Sequence, residues 1–256
     1  MPAPTLTSHP HLRVVPEPLT KEGFAPFGTA ISCPLPRDLS AAPPLSSLPA
    51  NDPTPVVANQ GSALKYSPIS PLLNEYPGRC PSGQPSAARM SMFSCFPRTL
   101  RTVPGSRALP ETNVFDVRIL ERHPFTTQTF TPIDLSAQPG KTDEPWFLVI
   151  VAPTRKGETA TATTQSGETV TIRDPPDLSR LRAFVARGNQ AVTYGAGTWH
   201  APMVVLGPRR VDFVVVQFAN GVDDEDVQEA TFGEGIVVDL GRSQSLSAGR
   251  TGNAKL

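Results

Sequence analysis

The sequence predicts an all-β protein, a sandwich or barrel with one or two short helices. Three observations carry that expectation. Segments of strand length, rich in β-branched and aromatic residues, recur between residues 56 and 218. Turn-forming residues separate them, with 30 prolines and 19 glycines in 256 residues. Helical apolar spacing is confined to two brief stretches, which leaves strands to build the core.

The elements follow in chain order. Residues 1–11 read as a disordered N-terminal tail, with His9 and His11 solvated beside Pro10. Within residues 19–27, Thr20 is placed to cap a short amphipathic turn of helix. Residues 34–55 and 77–85 are Pro- and Ser-rich and read as long surface insertions. Strands are expected at 56–58, 90–96, 114–121, 126–130, 147–151, 190–194 and 211–218. Residues 159–164 and 168–172 flank Ser166-Gly167 and predict a hairpin. Residues 176–185 predict a helix, with Asp177 near its start, an apolar stripe of Leu178, Leu181, Phe184 and Val185, and Gly188 as its stop. One domain over 12–240 is expected, followed by a flexible Gly- and Ser-rich tail over 241–256.

Composition excludes several classes of function. Lys plus Arg and Asp plus Glu both number 23, and no basic stripe with interleaved aromatics appears, so nucleic acid is not an expected partner. The longest apolar runs, 146–152 and 211–219, are far too short for a membrane helix. The first ten residues lack a basic and an apolar region, so a secretory signal is not expected. Cys33, Cys80 and Cys95 are odd in number and widely spaced, which suits reduced thiols in an intracellular protein. The last three residues, Ala254-Lys255-Leu256, resemble a peroxisomal address that an import receptor reads, with the cytoplasm as the alternative location.

Chemistry concentrates around the two remaining histidines, since the chain has only four. Imidazole is the side chain best suited to proton transfer or metal ligation near neutral pH. Glu121 and His123 stand two apart, so on a strand they share a face, and Gln128 can re-enter on that side after Pro124. His200 follows a glycine-rich turn, Gly195-Ala196-Gly197-Thr198-Trp199. The spacing Glu-x-His-x4-Gln resembles the first metal motif of the cupin barrel, His-x-His-x4-Glu, and the later His after a Gly-rich turn resembles its second. That likeness implies a double-stranded β-helix, although Glu121 and Gln128 depart from the usual ligand types.

A more specific resemblance spans residues 12–232. Asn59-Gln60-Gly61, Leu120-Glu121-Arg122-His123-Pro124, Thr127-Gln128-x-Phe130-x-Pro132, Pro176-Asp177-Leu178-Ser179, Tyr194, Trp199-His200-x-Pro202 and Asp212-Phe213 recur in this order in ureidoglycolate lyases. With its Pro-rich insertions the chain resembles a fungal-type member. The resemblance implies a cupin-like homodimer that cleaves (S)-ureidoglycolate to glyoxylate and urea in allantoin breakdown, with nickel as the associated metal.

Such a reaction needs a base for the substrate hydroxyl, an acid for the departing nitrogen and a group to hold the carboxylate. His123 and His200 supply the base and acid in either order, and Glu121 orients a histidine or acts as base. A divalent ion on His123, His200, Glu121 and Gln128 is the other use of these residues. Arg98 is the expected carboxylate grip. Asn59, Gln128 and Tyr194 are placed to read the ureido group, and Trp199 to wall the pocket. Two other readings stay open: a metal-dependent cupin dioxygenase or isomerase acting on another small acid, and a non-catalytic cupin that binds one.

Overall fold

The computed structural model describes residues 3–36, 38–104, 111–133 and 146–241. Its chain is built almost entirely of strands, with two four-residue helices among the described residues. The first helix, Lys21–Phe24, begins where Thr20 Oγ1 accepts from the Gly23 N–H at 3.0 Å, as the cap residue predicts. The expected C-terminal tail lies almost wholly outside the described residues.

Two sheets face one another and make an all-β, cupin-like barrel. One has five antiparallel strands in the order Gly28–Ile31, Ala191–Tyr194, Gln128–Ile133, Val211–Ala219 and Ala87–Cys95. The other is ten-stranded, and its middle runs Gln228–Thr231, Ile119–Arg122, Trp199–His200, Trp146–Ala152, Arg182–Arg187. A four-stranded sheet containing Thr112–Asp116 and Ile236–Asp239 covers the back of the larger one.

The strand Trp146–Ala152 shows why the core sits where it does. Phe147, Val149 and Val151 point into the barrel against Phe130, Tyr194 and Phe213. Leu148, Ile150 and Ala152 point to the opposite side, against Phe115, Ile236 and Val238. A strand buried on both faces reads as an unbroken apolar run, as this one does. All six of those side chains are fully buried, and burying one such side chain contributes roughly 1.5–3 kcal/mol for the larger ones.

Three local expectations are corrected. Residues 176–185 do not form a helix. Leu178–Arg180 is a single 3-10 turn, and Arg182–Arg187 is a strand paired antiparallel with Trp146–Val151. The stretch is too short to hold a helix alone. As a strand, its Ala183 and Val185 feed one core and Phe184 and Ala186 the other, while its backbone satisfies that of the buried neighbour. The run expected at 114–121 divides into Thr112–Asp116 and Ile119–Arg122, which belong to different sheets. The N-terminal stretch expected to be loose includes Thr5–Leu6, paired with Thr163–Ala162, with Leu6 buried.

The predicted hairpin forms between Thr159–Thr163 and Thr169–Arg173, with Gly167 at φ 85° in the turn. The three cysteines are unpaired, and no helix among the described residues is long and apolar enough to cross a membrane.

Candidate active site

Register brings the two histidine segments together. Glu121 stands directly opposite His200 across an antiparallel pair, so both side chains enter the barrel. Gln128 stands opposite Tyr194 on the facing sheet. His123 follows its strand at the barrel mouth, where its carbonyl accepts from the Gly197 N–H at 2.8 Å. Gly197 has φ 76°, a conformation that favours glycine, and this explains the glycine-rich turn before His200. One ligating atom each from Glu121, His123 and His200 lie within 4.8 Å of one another. The two imidazole rings are 5.6 Å apart, and both are buried.

Backbone carbonyls set the protons on both rings. His123 Nδ1 lies 2.6 Å from the Asp226 carbonyl, and His200 Nδ1 lies 2.9 Å from the Thr198 carbonyl. A carbonyl only accepts, so each Nδ1 carries hydrogen and each neutral ring turns a bare Nε2 inward. His123 Nε2 is buried with no hydrogen-bond partner. His200 Nε2 lies 3.1 Å from the Gln128 amide oxygen and 3.5 Å from a Glu121 carboxylate oxygen. With a proton on Nε2, His200 donates toward both.

The electrostatics separate the roles. Burial pushes the Glu121 carboxyl up, but the hydrogen bond and charge of His200 outweigh it, so it lies below the usual value and is ionised. His123 is pushed down from 6.5, first by burial and next by His200, against a smaller opposing effect of the Asp226 carbonyl. A neutral His123 with an open Nε2 is therefore its resting form. Tyr194 stacks on His200 at 3.9 Å with a 13° tilt, and burial, then the Glu121 charge, hold its phenol protonated.

The anchoring of His123 reaches the residue that precedes the second Pro-rich insertion. Tyr76 donates its hydroxyl to Asp226 Oδ1 at 2.6 Å, and the Asn220 and Gly221 N–H groups donate to the same carboxylate at 2.8 Å. The turn presenting the Asp226 carbonyl is thus fixed on three sides.

Other expected site residues lie elsewhere. Arg98 is exposed beyond the far end of Ala87–Cys95, with its guanidinium over Phe115 at 5.3 Å. Trp199 alternates with His200 and points to the opposite face, where its Nε1–H donates to the Asp174 carbonyl at 3.0 Å and Arg122 stacks on it. It is a core residue and does not wall the pocket. Asn59 is exposed at φ 50° on the tip between Val56–Ala58 and Ala63–Lys65, a hairpin that among the described residues pairs only with itself. Arg122, next to Glu121 on the strand, points to the other face, where it is buried and donates to Gln228 and the Arg173 carbonyl.

One site residue escaped the sequence reading. Gln217 accepts from Gln128 Nε2 at 2.6 Å and so holds the amide beside His200. The signal was available, because Gln217 is the polar member of an inward row Val211, Phe213, Val215, Gln217.

The model of the family "Ureidoglycolate lyase" matches residues 11–239. The chain belongs to the ureidoglycolate lyase family. A ureidoglycolate lyase of Saccharomyces cerevisiae is 35% identical over 205 residues, covering 79% of this chain and 84% of that protein. One from Schizosaccharomyces pombe is 32% identical over 216 residues, covering 84% and 90%. A bacterial member of the family, from Burkholderia mallei, is 30% identical over 220 residues, covering 86% and 89%. The family match spans both histidine segments and the strands that align them.

Proposed function

We propose that the protein is a carbon–nitrogen lyase that cleaves (S)-ureidoglycolate to glyoxylate and urea. The observation carrying this reading is the convergence of one open imidazole, one carboxylate-paired imidazole and an amide in a chain of this family. His123 Nε2 takes the proton of the substrate hydroxyl. The oxygen lone pair forms the carbonyl of glyoxylate as the carbon–nitrogen bond breaks, and its electrons go to the urea nitrogen. His200 Nε2–H delivers a proton to that nitrogen. The ionised Glu121 balances the positive ring of His200 before transfer, and Gln128, fixed by Gln217, orients it.

The donor set also fits a divalent first-row ion, because two inward Nε2 atoms, one of them without a partner, stand beside a carboxylate and an amide oxygen. His123, His200, Glu121 and Gln128 would hold it, and nickel is the ion the family resemblance implies. Bound there, it would make the substrate hydroxyl more acidic.

The reaction is tested by incubating purified protein with racemic ureidoglycolate without oxygen and assaying both products. Equimolar glyoxylate and urea from one enantiomer is the expected result. No release of urea refutes it, and a strict need for oxygen would favour a dioxygenase. Metal content measured before and after chelation, with activity restored by nickel, tests the ion.

Two further parts of the reading concern partners and place. A homodimer is supported by the open strand Ala87–Cys95, whose outward Met90 and Met92 are 76% and 63% exposed, and light scattering tests it. Import into peroxisomes through Ala254-Lys255-Leu256 places the enzyme in that organelle. A chain lacking these three residues is expected to stay diffuse in the cytosol.

A further inference from the structure

The proposed substrate is a carboxylate, and the assembled site confines positive charge to the imidazole that Glu121 already balances, with no Lys or Arg among the described residues that form it. Glu121 supplies a carboxylate beside His200, and Tyr194 supplies a phenol stacked on the same ring. Arg122, on the strand of Glu121, turns its guanidinium to the other side of the sheet, where Gln228, the Arg173 carbonyl and the Trp199 ring hold it. Arg98 lies at the wrong end of its strand. A small anion entering beside Glu121 gains from a permanently positive group, which the two imidazoles do not supply.

Sheet register identifies one. On the five-stranded sheet a single cross-strand row runs Tyr194, Gln128, Gln217, Arg89. Gln128 opposes Tyr194, Gln128 bonds Gln217 side chain to side chain, and Gln217 opposes Arg89. Directly opposed residues of antiparallel strands project to the same face. The same strand confirms that face four residues on, where Phe93 opposes Phe213 and its ring meets the inward-facing Phe130 at 5.7 Å. Arg89 therefore stands on the barrel-facing side, one strand beyond Gln217. Adjacent strands are about 4.8 Å apart, a span that an arginine side chain exceeds.

Its state fits a group awaiting a ligand. Arg89 is exposed, and no hydrogen bond or ion pair to another described residue is seen for its guanidinium. The neighbouring stretch is tied to the site mouth, since Ser86 donates to Asn74, Asn74 bridges Thr126, and the Phe218 N–H donates to Thr126.

We propose that Arg89 is the carboxylate-binding residue, gripping the substrate's two carboxylate oxygens from the Gln217 side while His123 and His200 act on the hydroxyl and the ureido nitrogen. This rests on the reaction proposed above. The planar guanidinium suits a bidentate carboxylate.

The test compares Arg89→Ala and Arg89→Lys with the unaltered protein. Arg89→Ala is expected to raise KM for ureidoglycolate about 10- to 100-fold and to weaken inhibition by glyoxylate equally, with kcat within about threefold. Arg89→Lys, which keeps the charge but loses the fork, should recover part of the loss. Unchanged KM and unchanged glyoxylate inhibition in Arg89→Ala would overturn the assignment, as would a loss confined to kcat. If the unaltered protein releases no urea, the reaction reading fails by itself. Calorimetric binding of oxalate then still decides Arg89, since equal affinity in protein and Arg89→Ala overturns the carboxylate grip and a matching loss upholds it. Position 89 is exposed on an edge strand, and equal melting temperatures will show that the fold is kept.

Discussion

Replacing Glu121 by Gln changes one charge and almost no volume, which makes it the sharpest probe of the acid–base assignment. The carboxylate oxygen lies 3.5 Å from His200 Nε2, and the His200 side chain is 2% exposed. At an effective dielectric constant near 20, opposite unit charges at that distance attract by about 5 kcal/mol. Part of that is offset by the desolvation Glu121 itself suffers, the largest single influence on its carboxyl. Losing the remainder is expected to lower kcat by about 10²- to 10³-fold. The neutral amide can still accept a hydrogen bond, so KM is expected to move by less than about fivefold. Steady-state kinetics on ureidoglycolate, following glyoxylate and urea separately, reads both quantities, and circular dichroism checks the fold. A kcat within about threefold of the unaltered protein would show that Glu121 does not support a charged His200, and the division of roles would fall with it.

Other perturbations divide along the same geometry. His123→Ala and His200→Ala should each lower kcat by about 10²- to 10⁴-fold in folded protein, since each removes one proton-transfer partner; normal turnover in both would reject the two-imidazole site. The acid limb of kcat/KM should have its midpoint below 6.5, because His123 is pushed below that value and stays neutral as base until then. The same shift has a sign for stability. Between the depressed folded value and 6.5 the unfolded chain binds more protons, so the contribution of His123 is full above 6.5 and is lost as pH falls through the folded value; melts from pH 7.5 to 5 should show it. Trp199→Phe should cost about 2–3 kcal/mol, from the lost bond to Asp174 and the smaller buried ring, and leave KM unchanged. A large rise in KM would put Trp199 back in the pocket.

Where one residue type had one physical use, the fold was legible. The apolar run around 147–151 reads as a strand and is one, Ser166-Gly167 turns the expected hairpin, and Thr20 offered a cap that the Gly23 N–H takes. Residues 182–187 had two uses. Their apolar spacing satisfies a helical face over less than two turns and, equally, a strand feeding two cores. The second wins because the backbone of Trp146–Ala152 needs a partner there, a demand that arises outside the segment. Thr5–Leu6 is the same case at smaller scale, since two residues carry no period of their own.

At the site, Glu121, His123, Gln128 and His200 could be read because strand period and spacing place them before any tertiary information is added. Arg98 was chosen for its chemistry alone, and chemistry does not say which end of a strand faces the cavity. Register does: six residues along the strand, at about 3.4 Å each, separate Arg89 from Cys95 by roughly 20 Å, and Arg98 lies beyond that end. The protons on the two rings are less legible still. They are set by the carbonyls of Asp226 and Thr198, groups that every residue carries, so no residue type announces them. What the sequence encodes is the turn that delivers each carbonyl. For Asp226 that means a side chain accepting from Tyr76, Asn220 and Gly221, which fixes the backbone so that its carbonyl, 2.6 Å from Nδ1, can hold His123 with Nε2 facing the cavity.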